Sequence, residues 1–324
     1  MKNFSKTKFI KYLLIISTNV FLFVCLWFLF DLFFYSYSLK KANILNISNL
    51  LKMYKTEFIY YHDSEDFFSG KEDNKGRAPD GTEYKNSEPI VVFGCSFAYG
   101  HRLNASQTFS RKLSEKLKRT VYNRAYCGAG FQHAYKQSLS DNFYKTVPPS
   151  KTVIYILIED HFRRICGETF FLYDNYLNIH YKYKNGRFIE DNYNNFIYRF
   201  LKSSYLLKYI RFNLKFRKFL NPKNFDEISD EALAYLVQMR NNLEQHWNNK
   251  INFIVLVYDK GDITDCLIPK LQKNGFTVIC VNNLANENMM DIKYQTFDVF
   301  HPNEKAWDLL TPLFIKELKS INAL

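Results

Sequence analysis

The chain has no pair of cysteines in the Cys-x-x-Cys spacing, which argues against paired-thiol zinc sites and thioredoxin-type chemistry. Cys25 falls in an apolar run, and Cys95, Cys127, Cys166, Cys266 and Cys280 are scattered through the remainder. Five is an odd number, so even in an oxidising compartment one thiol stays free or pairs with another chain; buried apolar thiols are the simpler reading. Zinc-finger, homeodomain and RNA-binding aromatic motifs are all missing, so the net charge of +12 is not read as a nucleic-acid footprint. A membrane surface accounts for that charge as well. Internal repeats and low-complexity tracts are also lacking. With 47% hydrophobic and 23% charged residues, the composition is that of a folded chain with a sizeable core.

Charge is absent from Tyr12 to Phe30. A helix over that run nearly matches the hydrocarbon thickness of a bilayer. No small-x-small cleavage site follows, because residues 31–35 are bulky, so the reading is a retained anchor rather than a removed signal peptide. Lys2, Lys6, Lys8 and Lys11 precede the run and Lys40 and Lys41 follow it. This asymmetry predicts a cytoplasmic N-terminus and an extracytoplasmic main body, periplasmic or on the cell surface. The expected organisation is residues 1–35 as N-terminus and anchor, 36–88 as linker, and 89–324 as the main domain.

Short apolar runs at Pro89–Gly94, Thr120–Tyr122, Thr152–Ile158, Ile251–Tyr258 and Phe276–Val281 alternate with helical spacing. That alternation predicts an α/β domain, a parallel sheet of five strands with helices on both faces. An insertion is expected at about 162–250. It holds a hairpin around Asn185–Gly186, a helix over residues 199–223 and a helix from Asp226 to Asn248. No acidic residue interrupts 199–223, where Tyr205, Tyr209, Phe212, Phe216 and Phe219 run beside Lys208, Arg211, Lys215 and Lys218. Such a helix either lies on anionic lipid or packs its rings on the domain with its lysines in water.

Ligands of parallel sheets bind beyond the carboxyl ends of the strands. Gly94-Cys95-Ser96-Phe97 puts a serine there, in the turn leaving an apolar run. A serine hydroxyl needs a base and a group to orient that base, and Asp298-Val299-Phe300-His301-Pro302 carries both on one loop. A helix cap at the serine and a loop closure at Asp298 and His301 are the plainer alternatives.

Taken in order, Gly94-Cys95-Ser96-Phe97, Asn123 with Gly128, and Asp298-x-x-His301-Pro302 resemble the first, second and fifth blocks of the SGNH (GDSL-like) hydrolase and acyltransferase family. The resemblance spans about residues 88–320 without the insertion. It implies a flavodoxin-like three-layer α/β/α fold, Ser96 as nucleophile, His301 as general base, Asp298 as its orienter, and the backbone N–H groups of Ser96 and Gly128 as oxyanion donors. It implies no metal and no organic cofactor. Two positions depart from the pattern. Cys95 stands where the family carries aspartate, and Ile158-Glu159-Asp160-His161 lacks the third-block asparagine. An ionised Asp160 accepts hydrogen bonds only, so His161 is the expected substitute donor. Asp160, Arg163 and His133 are candidate pocket residues, although a capping role for His133 and pairing of Arg163 and Arg164 with Glu159 and Asp160 are favoured. The expected activity is a membrane-anchored serine esterase acting on O-acyl groups, such as O-acetyl, of envelope glycans or lipids. An O-acyltransferase of a surface polysaccharide and a catalytically degenerate binding domain are the alternatives.

Overall fold

The computed structural model describes residues 17–27, 29, 30, 33, 84, 87–101, 103–165, 181–184, 187–190, 224–296 and 300–323. The chain divides into two compact units, one of residues 1–53 with 194–220 and one of 54–193 with 221–324. In the first, residues 17–27 are helical and Val20, Phe21, Phe23, Val24 and Leu26 are all exposed. Among the described residues no helix is long and apolar enough to cross a membrane. Residues 12–16 and 28 of the expected span lie outside the described residues, as does the expected basic aromatic helix at 199–223.

The second unit follows the alternation of its apolar runs. In chain order its elements are β1 (Ile90–Phe93), α1 (Ser96–Tyr99), α2 (Phe109–Leu117), β2 (Val121–Asn123), α3 (Phe131–Gln137), α4 (Asp141–Thr146), β3 (Thr152–Leu157), α5 (Asp160–Ile165), β4 (Tyr181–Lys184), β5 (Arg187–Glu190), α6 (Phe225–Trp247), β6 (Asn252–Val257), α7 (Asp262–Lys273), β7 (Thr277–Cys280), α8 (Val281–Ala285) and α9 (Glu304–Ser320). Five strands pair in parallel in the order β2-β1-β3-β6-β7. Counted along the main sheet alone this is the flavodoxin-like order, with β1 and β3 flanking the switch point where the winding reverses. The separate β4–β5 pair is antiparallel, with Lys184 opposite Arg187. The expected turn at Asn185–Gly186 lies outside the described residues.

Each strand sends alternate side chains to opposite faces, and both faces are covered, which is why the strands read as continuous apolar runs. On one face Ile90, Val92, Ile154, Ile156, Ile254 and Leu256 meet Phe109 and Leu113 of α2 and Trp307, Leu310 and Phe314 of α9. On the other, Val91, Phe93, Val153, Tyr155 and Val255 meet Phe131 of α3, Phe162 of α5, and Tyr235, Leu236 and Met239 of α6. Full burial of such side chains stabilises the fold by about 1.5–3 kcal/mol each. The stretch 162–250 is therefore not wholly an insertion. It contributes α6, a wall of the core capped at its start by Asn224, whose Oδ1 accepts from Glu227 N–H at 2.8 Å.

Candidate active site

Where β1 ends, Gly94 has φ +150, a value that L side chains rarely adopt, and a Cβ there would lie 2.8 Å from Ala98 Cβ and 3.1 Å from Ile156 O. The chain turns at this glycine into α1. Cys95 is the N-cap of α1 and makes no side-chain cap bond, so Ser96 is not serving as that cap. Ser96 is 8% exposed, and its Oγ lies 2.8 Å from His301 Nε2.

His301 is held on a short return before α9. Thr296 N–H donates to its carbonyl at 2.7 Å, and Gln295 bridges Pro302. Asn303 fastens the same segment. Its Nδ2 donates to Lys293 O at 2.9 Å and Gln295 O at 2.8 Å, while its Oδ1 accepts from Ala306 N–H at 3.1 Å and so caps α9. The His301 ring packs beside Phe97 and Phe300, with centroids at 5.4 and 5.1 Å. Asp298, the expected orienter, lies outside the described residues.

The loop after β2 is the other wall. Ala129 N–H donates to Tyr126 O at 3.0 Å, closing a turn with Gly128 at its third position and φ +79, a conformation glycine adopts without strain. Tyr126 N–H reaches Gly94 O at 3.3 Å. Asn123, at the end of β2, donates from Nδ2 to Ala98 O at 2.8 Å and accepts from Ala125 N–H at 3.1 Å. Loop and α1 are thereby tied together.

The third-block residues differ from expectation. His161 is fully buried. Its Nδ1 stands 3.0 Å from the Tyr155 hydroxyl, and its ring meets Phe131 and Tyr155 edge-on. An N–H aimed at a substrate oxygen must reach the crevice surface, so the expected donor role does not fit this enclosed ring. Burial, reinforced by the Arg164 charge, holds its pKa well below the usual histidine range and keeps it neutral. Asp160 is paired with Arg164 at 2.7 Å and lies 3.9 Å from Arg163, so these residues answer one another, as the pairing alternative expects. Glu159 turns away to α7, where its carboxylate accepts from Ile263 N–H, Thr264 N–H and the Thr264 hydroxyl. His133 is buried, and its Nδ1 accepts from Gly130 N–H at 2.8 Å, which is the capping role.

One neighbour had no place in the sequence reading. The His101 ring centroid stands 4.8 Å from that of His301, its backbone N–H donates to Ser96 O at 3.0 Å, and its Nδ1 is 3.4 Å from Cys127 Sγ. The one available signal was its position just past Gly100, the residue that ends α1. Cys25, Cys95, Cys266 and Cys280 are free thiols; burial pushes that of Cys95 up. Among the described residues no group of three or more His, Cys, Asp or Glu side chains could hold a metal ion.

No protein-family model matches the chain, and no curated protein matches it in sequence. Solved structures do overlap it. A member of the lipolytic G-D-S-L family from Veillonella parvula has 11% identity and a TM-score of 0.43, over 72% of this chain and 99% of that one. A putative lipolytic protein of the G-D-S-L family from Desulfitobacterium hafniense has 10% identity and a TM-score of 0.40, over 71% and 99%. An acetyl xylan esterase from the rumen bacterium Butyrivibrio proteoclasticus has 11% identity and a TM-score of 0.42, over 72% and 64%. Overlaps this loose assign no activity to the chain.

Proposed function

We propose that this protein is a membrane-anchored serine esterase that cleaves O-acyl groups from envelope glycans or lipids. The observation that carries the reading is the 2.8 Å approach of His301 Nε2 to Ser96 Oγ at the carboxyl end of β1. In the proposed reaction the Ser96 hydroxyl attacks an ester carbonyl as its proton passes to His301 Nε2. The tetrahedral oxyanion is met by the backbone N–H groups of Ser96 and Gly128. His301 then returns the proton to the leaving alcohol, and water attacks the acyl-Ser96 ester with His301 again as base. Asp298 orients the imidazole.

Anchorage is supported by the uncharged run from Tyr12 to Phe30 and by the exposed apolar residues of the helix at 17–27. The lysine asymmetry supports an extracytoplasmic domain, periplasmic or at the cell surface, close to envelope glycans and lipids. A glycan ester is further supported by Tyr126 and Phe300, exposed aromatic side chains that pack against Tyr99 and His301 respectively.

Labelling of the full chain in detergent with a fluorophosphonate probe tests the nucleophile, with Ser96→Ala and His301→Ala for comparison. The wild type becomes labelled and neither variant does. A folded wild type that stays unlabelled overturns the esterase reading in favour of an envelope binding domain.

A further inference from the structure

Of the residues expected in the pocket, His133 bonds the backbone of the loop that carries Gly128, and Asp160 holds Arg164, which bonds that loop too. Arg164 is 7% exposed, and each of its three guanidinium nitrogens donates in that region. Nε and Nη2 donate to the same Asp160 oxygen, at 3.1 and 2.7 Å, and Nη1 donates to Ala129 O. Gly130 lies against the arginine stem, where an added Cβ would stand 3.3 Å from Arg164 Cδ. On the far side of the loop His133 holds Gly130 N–H.

A pair four residues apart on a helix forms readily in water, and there it is worth little. Burying it costs several kcal/mol per ion unless the geometry is good. Here the cation is folded inward, and a planar guanidinium fixes its two acceptors relative to one another in a way that the single point charge of lysine does not.

Sheet order gives this bridge its meaning. Asp160 opens α5 just past β3, Ala129 lies past β2, and β1 runs between those two strands. The Asp160–Arg164–Ala129 link therefore crosses the carboxyl end of the strand that delivers Ser96. The guanidinium charge is felt there, since it opposes the effect of burial on the Cys95 thiol.

We propose that Arg164, held by Asp160, is the positioning residue of the oxyanion loop: by fixing the Ala129 carbonyl it sets the turn that presents Gly128 N–H. This rests on the serine-esterase reading above. Asp160 then acts in place of a third-block donor, organising the hole without touching the substrate.

The test is the fluorophosphonate labelling kinetics of the folded full chain. In Arg164→Ala the limiting rate falls on the order of 10²-fold, the loss expected when an oxyanion donor is misplaced, while the half-saturating probe concentration changes little. Arg164→Lys falls between that variant and wild type, and Asp160→Asn, whose amide oxygen still accepts, loses less. Guanidinium at sub-denaturing concentration restores part of the Arg164→Ala rate. A purely structural role predicts a loss that tracks the unfolded fraction with no rescue, and that result, or a folded Arg164→Ala at the wild-type rate, overturns the proposal. Should Arg164→Ala fail to fold, the ordering of Arg164→Lys and Asp160→Asn below wild type decides it, and equal rates overturn it. A wild type that is never labelled removes the esterase reading and this proposal together, whereas a labelled wild type with unaffected variants removes this proposal alone.

Discussion

His301 Nε2 stands 2.8 Å from Ser96 Oγ although the two residues are 205 positions apart in the chain. The serine is fixed by the turn after β1, and the histidine by the Asn303 bonds before α9, so neither depends on the other for its place. On the proposed esterase mechanism, His301→Ala is expected to lower turnover of an activated acetyl ester by about 10²–10⁴-fold. Groups that act as one unit lose their effect together, so Ser96→Ala/His301→Ala is no slower than Ser96→Ala alone. Initial rates on the four proteins check this, and a double variant that falls by the product of the single losses removes the pairing.

Asn123→Ala strips two buried partners at once, leaving Ala98 O and Ala125 N–H without the side chain that joins them. A buried group left unpaired costs about 1–3 kcal/mol, read as a lower urea midpoint. Labelling of Ser96 slows as well, because the α1 carbonyl is no longer tied to β2. Asn123→Asp keeps the acceptor for Ala125 but has no N–H for Ala98. If the Asp variant matches wild type in both measurements, the Ala98 bond carries neither stability nor position.

Much of this fold could be read from apolar runs, because a sheet covered on both faces writes its strands as continuous hydrophobic stretches. Four of the five strands fall within the expected runs, β2 passes the end of its run by one residue to Asn123, and α6 at Phe225–Trp247 nearly matches the expected Asp226–Asn248. Side-chain direction was far less legible. His161 looked like a donor because it follows Asp160, yet α5 turns residues 161, 162 and 164 inward and leaves Arg163 in solvent. Asp160 and Arg164, one helical turn apart, did announce their pairing. What the spacing did not show is that the arginine would continue to Ala129, since that contact is made by the packing of one loop on one short helix. His101 was invisible for the same reason: its neighbour His301 comes from the other end of the chain.

Gly94→Ala is expected to damage stability and activity together. Its φ of +150 is strained for alanine, and the new Cβ meets Ala98 Cβ at 2.8 Å and a β3 carbonyl at 3.1 Å. Neither neighbour is the end of a flexible side chain, so backbone must move. Backbone strain and overpacking together cost about 2–4 kcal/mol. The movement pushes α1, and Ser96 with it, away from His301. Urea unfolding and labelling rate both report the change; full stability in the alanine variant means that the β1 turn is looser than these contacts imply.

Asp259 offers a pH-dependent test at the same edge of the sheet. Its Oδ1 accepts from Glu159 N–H at 2.7 Å. Burial, with Glu159 and Asp160 adding negative charge, pushes its pKa up from 3.8 to about 6. In the unfolded chain an aspartate titrates near 3.9, so between about pH 4 and 6 the native state holds more protons than the unfolded one. Stability is therefore lost as pH rises through that window, reaching about 3 kcal/mol at most above pH 6. Asparagine keeps the acceptor for Glu159 N–H and never ionises. Asp259→Asn is accordingly more stable than wild type at pH 7, and its advantage shrinks as pH falls to 4. The buried neutral His161 works in the opposite sense, favouring unfolding as pH drops below the usual histidine range, but both proteins contain it and it cancels in their difference. Paired thermal melts at several pH values measure that difference. An advantage that is constant with pH shows that Asp259 is ionised without penalty and that the carboxyl ends of β3 and β6 are better solvated than their packing indicates.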